Sequence, residues 1–250
     1  MAGLVFMNAL KRLRTIRNSS RNEELLLVTA HPDDESMFFL PTIRAFDPRH
    51  VTVLSLSNGN YDGIGDKRQE ELRVCCCEQL GLPAENVIVA NHPDLQDGPD
   101  QAWPAAVVAD TADKELSALQ KRTGMKKVLV VTFDAQGVSG HVNHRAVSQG
   151  LRVLAARRRA DPWSSFYELE SVGLSAKYGG PATAWKWYAG APASALQFFN
   201  ANLGLNYAAM SAHASQFVWY RRLFVLFSVY TFANRLAPVY PERCLLKKED

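Results

Sequence analysis

Four short apolar runs punctuate the first half of the chain: Leu25–Ala30 (LLLVTA), Val51–Ser57 (VTVLSLS), Asn86–Ala90 (NVIVA) and Lys127–Phe133 (KVLVVTF). None alternates apolar with polar positions, as a strand with one wet face does. Continuous runs of this length are the pattern of parallel strands covered on both sides. The intervening segments read as helices, roughly over 36–46, 66–81, 104–122 and 141–159. The second of these is rich in helix formers and stops at Gly81, with Pro83 beyond it. Pro41 predicts a kink in the first helix, or its true start. Phe166–Ser171 fits a further strand. Repeated strand–helix alternation predicts an α/β fold: an open, mostly parallel sheet with helices on both faces.

The ends of the chain depart from this pattern. Residues 1–22 carry Lys11, Arg12, Arg14, Arg17 and Arg21 and no acidic residue. They follow the apolar Met1–Leu10, an order opposite to that of a secretory signal. Phe217–Leu236 is largely apolar or aromatic but is interrupted by Arg221, Arg222 and Arg235. It reads either as a core helix with solvated arginines or as a contact with a membrane surface. No charge-free apolar run reaches the ~20 residues of a spanning helix. The expected organisation is a basic and apolar segment, 1–22, a main domain, 23–215, and an apolar helix and tail, 216–250, packed on the domain or on a membrane.

Composition narrows the functional classes. At 250 residues, 47% hydrophobic and 21% charged, the chain is an ordinary globular one. Its four cysteines, three of them consecutive at 75–77, make neither a disulfide framework nor a zinc ribbon. A net charge of +3 without a recognised reading motif argues against a nucleic-acid partner.

In open α/β sheets, ligands bind beyond the carboxyl ends of the strands. His31-Pro32-Asp33-Asp34-Glu35 follows the first strand. Asp134 and then Gly137-Val138-Ser139-Gly140-His141-Val142-Asn143-His144 follow the fourth. His141 and His144 are three apart at a helix start, on one face. Two or three imidazoles with one carboxylate, and a second carboxylate to spare, are what a catalytic zinc site requires. The spare carboxylate is then available as a general base. Spacing alone does not decide which of Asp33 and Asp34 is the ligand.

The runs TAHPDDESMFFLPTI, SNGNYDGIGDKRQEEL and FDAQGVSGHVNH resemble the PIG-L/LmbE-like family of metal-dependent de-N-acetylases, in its eukaryotic branch. The resemblance covers about residues 25–150, and more loosely SAHASQFVWYRRL near 211–223. It implies a Rossmann-like fold and a divalent metal, usually zinc, held by His31, Asp34 and His144. It further implies Asp33 as general base and His141 as the residue that polarises the carbonyl. The expected substrate is N-acetylglucosaminyl-phosphatidylinositol, an early intermediate of glycosylphosphatidylinositol anchor assembly, at the cytoplasmic face of the endoplasmic reticulum membrane. The alternative is a soluble N-acetylglucosaminide.

Lesser candidates surround these. Asn58–Gly65 (NGNYDGIG) reads either as a turn whose amides face a phosphate or as a plain glycine-rich turn. Arg68 either pairs with Glu71 at the surface or, as the resemblance implies, lies near the site to hold a substrate phosphate. Asp62 is a candidate for sugar hydroxyls or for an Asx-turn. His213 and Gln216, one helical turn apart, read as packing or capping residues. Trp185, Trp187 and Tyr188 read as core or as a sugar- or lipid-facing surface.

Overall fold

The computed structural model describes residues 23–124, 126–192 and 194–239. The basic cluster and Met1–Leu10 lie outside the described residues. Successive residues of the first strand face opposite cores. Leu25 and Leu27 join Val53, Leu129 and Val131 in one cluster, while Leu26 and Val28 join Leu54, Val128 and Val130 in the other. Both faces of the sheet are therefore dry, which accounts for the unbroken apolar runs.

The strands are β1 (Glu24–Thr29), β2 (Val51–Ser55), β3 (Val87–Val89), β4 (Val128–Phe133), β5 (Ser164–Leu169), β6 (Leu196–Phe199) and β7 (Ala233–Pro238). They form one sheet in the order β3-β2-β1-β4-β5-β7-β6. Strands β1 to β5 pair in parallel, with Leu25 opposite Val51 on one side and Leu129 on the other. The strand order reverses between β1 and β4, so the crevice of this fold opens above their carboxyl ends. Both polar clusters follow those two strands.

Helices α4 (Ala105–Thr123) and α5 (Val142–Arg157) cover one face. The other face is covered by α1 (Asp34–Phe38), α2 (Leu40–Ile43), α3 (Gly65–Arg73), α7 (Gly180–Ala189), α8 (Leu203–Ala212), α9 (Trp219–Phe227) and α10 (Val229–Phe232). A short α6 (Leu174–Lys177) precedes α7. The expected helix over 36–46 is two pieces broken at Phe39, with Pro41 in the first turn of the second. Pro is tolerated there because first-turn amides lack helical partners. The helix expected over 66–81 begins at Gly65 and widens into π geometry over Val74–Gln79.

The largest correction concerns Phe217–Leu236. It is not one helix. Ser228 ends α9 and caps α10, accepting a hydrogen bond from the Tyr230 amide. The chain then enters the sheet as β7, antiparallel to both β5 and β6. The described part of 216–250 thus supplies an internal strand rather than an appendage packed outside the domain. Asn234, fully buried, ties that strand to the first helices. Its Oδ1 accepts from the Thr42 amide at 3.1 Å and the Thr42 hydroxyl at 2.7 Å, and its Nδ2 donates to the Phe38 carbonyl at 2.8 Å. Among the described residues no helix is long and apolar enough to cross a membrane.

Candidate active site

After β1 the backbone folds around a carboxylate. Asp34 Oδ2 accepts from the amides of Ala30 (3.1 Å) and His31 (2.9 Å). Its Oδ1 lies 3.1 Å from His144 Nε2 at the start of α5. Burial would raise the Asp34 carboxyl, but His144 and His31 outweigh it and hold the group far below the ordinary carboxylate range. Asp34 is therefore an anion with its outer oxygen facing the crevice.

The hydrogen bonds of the three imidazoles fix which nitrogen of each carries a lone pair. His144 Nδ1 donates to the Gly137 carbonyl at 3.0 Å, which leaves Nε2 bare in the neutral ring. Gly137 (φ +62°) makes this approach possible, since a Cβ there would sit 2.8 Å from the His144 Cβ. His31 Nε2 faces two acceptors, Asp97 Oδ1 at 3.0 Å and Asn143 Oδ1 at 3.2 Å, so the proton resides there. That leaves His31 Nδ1 bare, 3.8 Å from Asp34 Oδ2. His141 is the converse. Its Nδ1 accepts from the Asn143 amide at 3.3 Å, so the neutral ring carries its proton on Nε2. Burial and the neighbouring His31 and His144 push His141 down to about 4, so it is neutral at pH 7.

One donor atom from each of His31, His141 and His144 lies within 4.8 Å of the others. The tautomers divide this cluster. In their neutral rings His31 Nδ1 and His144 Nε2 can offer lone pairs, together with the Asp34 carboxylate, to one cation set between them, in place of the 3.1 Å contact of His144 Nε2 with Asp34. His141 presents an N–H. The donor set of two imidazoles and one carboxylate fits a divalent transition metal.

Asp33 is the N-cap of α1 and adopts a left-handed backbone (φ 104°), a conformation costly for a residue other than glycine. Its amide donates to Glu35 Oε2 at 3.1 Å, and its carbonyl accepts from the Ser36 hydroxyl at 2.9 Å. This twist directs the Asp33 side chain into the cavity while Asp34 faces the imidazoles. Asp33 Oδ2 is contacted by Arg221 and lies 3.4 Å from Arg68 Nη2. The cavity, about 340 Å³, is also lined by Asp97, Ser139, Lys177 and the aromatic residues Phe38, Tyr178, Tyr220 and Phe224.

Residues 26–155, just over half the chain, match the family model described as PIG-L, GlcNAc-PI de-N-acetylase. The chain is 40% identical over 220 residues to the N-acetylglucosaminyl-phosphatidylinositol de-N-acetylase of Bos taurus, covering 84% of this chain and 81% of that protein. The chain belongs to the PIG-L family. A probable N-acetylglucosaminyl-phosphatidylinositol de-N-acetylase of Schizosaccharomyces pombe is 39% identical over 183 residues, 70% of each chain. Among solved structures, the N,N'-diacetylchitobiose deacetylase of Pyrococcus horikoshii superposes with a TM-score of 0.54 at 14% identity, over 87% of this chain and 84% of that one. At that identity the likeness concerns the fold.

Around this PIG-L-family centre the lesser candidates sort themselves. Arg68 is buried in the cavity wall, not paired with Glu71. Its guanidinium donates to the carbonyls of Pro32 (2.8 Å) and Gly59 (3.0 Å), with Asp97 Oδ2 at 3.5 Å. Gly59 has no side chain because one would strike that guanidinium at 2.5 Å. The glycine-rich turn thus seats Arg68. Glu71 instead holds the loop before α9, accepting from the amide (2.8 Å) and hydroxyl (2.6 Å) of Ser215. Asp62 is exposed on the turn 60–62, outside the lining of the cavity. His213 caps the C-terminus of α8, its amide donating to the Met210 carbonyl at 3.2 Å, but it does more than cap or pack. Its Nε2 lies 2.6 Å from Glu35 Oε1, both side chains wholly buried. Burial opposes the charges of both, but each holds the other ionised, Glu35 shifted down and His213 up. Cys75 adjoins this pair; its hydrogen bond to Cys76, and burial, push its thiol well up, so it stays protonated.

Sequence reading missed Asp97 and Arg221. Asp97 had a signal: it follows the third strand, where this architecture gathers its ligands. Arg221 had only a loose one, its place in the SAHASQFVWYRRL stretch of the resemblance, for its position in an apolar segment says nothing about which way it turns.

Proposed function

We propose that this chain hydrolyses the acetamide of N-acetylglucosaminyl-phosphatidylinositol, releasing acetate and leaving the free glucosaminyl amine. The observation that carries the reading is the convergence of His31, Asp34 and His144 beside a separate carboxylate, Asp33, and a third imidazole, His141, that is free to donate from Nε2. The names of the relatives supply the substrate. His31 Nδ1, His144 Nε2 and the Asp34 carboxylate would hold a divalent metal, zinc being the ion best suited, and that ion when bound would acidify water and polarise a carbonyl.

The remaining steps belong to the protein. Asp33 takes the proton of the attacking water as the acetyl carbon becomes tetrahedral, and returns it to the departing nitrogen. His141 Nε2–H donates to the carbonyl oxygen as negative charge develops there. Asp97 holds His31 through Nε2, a carboxylate behind an imidazole ligand. Arg68 anchors the Pro32 carbonyl and lies beside Asp33, so it positions the base. With its contacts turned to protein carbonyls and carboxylates, it is a positioning residue rather than the phosphate clamp expected from the resemblance.

His141→Ala is expected to lower turnover about 10²–10³-fold, the usual effect of losing one oxyanion donor, with a smaller change in the Michaelis constant. A loss confined to the Michaelis constant would make His141 a binding residue. The substrate's acyl chains place the reaction at a bilayer, and the family's role in anchor assembly points to the cytoplasmic face of the endoplasmic reticulum. The test of the substrate is to incubate purified protein with N-acetylglucosaminyl-phosphatidylinositol and, separately, with a soluble N-acetylglucosaminide, measuring free amine. Amine released from the glycolipid with the higher kcat/KM supports the proposal. Preference for the soluble glycoside would replace it.

A further inference from the structure

The helix α9 is inverted. A surface helix normally turns its polar side to water, but here Trp219, Tyr220, Leu223, Leu226 and Phe227 are exposed, with Arg222 the one polar residue among them, and Trp219 is 72% and Phe227 50% accessible. Their spacing of three and four places them along one stripe. The opposite side turns Phe224 and Val225 into the core and Arg221 into the cavity. The stripe borders the mouth of the cavity, because Tyr220 and Phe224 line it. Across the mouth, Tyr178, the C-cap of α6, meets Phe224 edge-on at 6.2 Å, and Leu174, at the start of α6, is 74% exposed.

Charge singles out the same part of the chain. From Ser171 to Pro241 there is no Asp or Glu, while Lys177, Lys186, Arg221, Arg222 and Arg235 lie within it. In a chain with 25 acidic residues, this 71-residue stretch is purely cationic. Within it Lys177 is buried, Arg221 turns to Asp33 in the cavity and Arg235 pairs with Glu170, so the exposed cations of the stretch are Arg222, on α9 itself, and Lys186. Exposed Trp and Tyr beside Arg222, with no acid in the same stretch, match the boundary between acyl chains and anionic headgroups. A protein partner of ordinary mixed charge would find no acidic groups on this stretch to pair with its own cations.

We infer that the exposed stripe of α9, with Leu174 and Tyr178 opposite it, docks this chain on an anionic lipid bilayer and so sets the cavity mouth at headgroup level. The inference rests on the glycolipid reading and names the surface by which that substrate is reached. The stripe enters the headgroup boundary, Arg222 remains among anionic headgroups, and a sugar standing above the bilayer enters between Tyr178 and Tyr220 with its acyl chains left in the membrane.

The test compares full-length wild type with a triple variant, Trp219→Ser, Leu223→Ser and Phe227→Ser, none of which lines the cavity. Co-sedimentation uses phosphatidylcholine vesicles with and without phosphatidylserine. Turnover is read on N-acetylglucosaminyl-phosphatidylinositol in vesicles and on its headgroup without acyl chains. The triple variant is expected to bind vesicles about 100-fold more weakly, from the lost apolar contact, and to lose vesicle turnover in step while cleaving the soluble headgroup at the wild-type rate. Arg222→Glu, at an exposed position, is expected to reduce the preference for phosphatidylserine vesicles, as added salt does. Vesicle binding by the triple variant equal to wild type would overturn the inference and assign the stripe to another segment or a second copy. Equal loss on the soluble headgroup would overturn it too, making these side chains part of the fold. A wild type that releases amine from neither substrate would strike the deacetylase reading alone, since vesicle binding decides the docking face without turnover.

Discussion

Asp33→Asn is expected to release amine about 10³-fold more slowly than wild type while keeping its full complement of metal. Asparagine is the appropriate replacement because it tolerates the left-handed backbone that Asp33 occupies at φ 104°, so the loop around Asp34 stays intact. The amide accepts no proton, which isolates the loss of the base from loss of the site. Retained metal with retained turnover would show that another group takes the proton from water. Loss of metal would show that Asp33, rather than Asp34, is the ligand. The two aspartates are adjacent in sequence yet play opposite parts because the twist between them sends one side chain to the imidazoles and the other to the cavity.

His213→Ala is expected to destabilise the fold by about 3–5 kcal/mol, the cost of leaving a buried charge unpaired. Glu35 is wholly inaccessible and its Oε1 faces His213 at 2.6 Å, so its charge has no route to water. That loss is a large part of the ~5–15 kcal/mol that holds a domain together. The pH dependence has a definite sign. His213, raised in the fold, contributes stability below its ordinary value near 6.5 and loses it as pH rises through the folded value. Glu35, lowered in the fold, contributes above its ordinary value near 4.5 and loses it as pH falls through the folded value. The gap between wild type and variant in thermal or denaturant unfolding is therefore widest at roughly pH 4.5–6.5 and narrows on either side. Because Glu35 Oε2 also holds the Asp33 amide at 3.1 Å, the folded variant is expected to lose turnover as well. A gap that is small and flat across pH would mean that the pair is not ionised.

The parallel half of the fold was legible because both its faces are covered. Burial on two sides forces every position of β1, β2 and β4 to be small or apolar, apart from a few hydroxyls and Glu24, and that constraint is visible residue by residue. The two polar clusters were equally plain, since polar residues at the ends of such runs have no packing reason to be there. The antiparallel edge was not legible. ANRLAP in β7 contains Asn and Arg, and only its partners far away in sequence, β5 and β6, make it a strand. Its Asn234 is buried to bind Thr42 and the Phe38 carbonyl, a need that local periodicity does not register. Local pattern did not place Arg68 or Arg221 either, although the family resemblance put Arg68 near the site, where it lies. An arginine among helix formers or aromatics looks solvated until the fold brings a carboxylate to it. Spacing alone offered His31, His141 and His144 alike; the family resemblance set His141 apart as the residue that polarises the carbonyl, and its hydrogen bond from the Asn143 amide gives a physical reason for that division.

Elemental analysis of two purified variants, His144→Ala and His141→Ala, alongside wild type, tests the metal site most directly. His144→Ala is expected to lose its metal and release no amine, because Nε2 of that ring is a ligand atom. His141→Ala is expected to retain the metal at wild-type stoichiometry, because that ring presents an N–H. Full metal in His144→Ala with near wild-type turnover, or loss of metal in His141→Ala, would contradict the site as assigned.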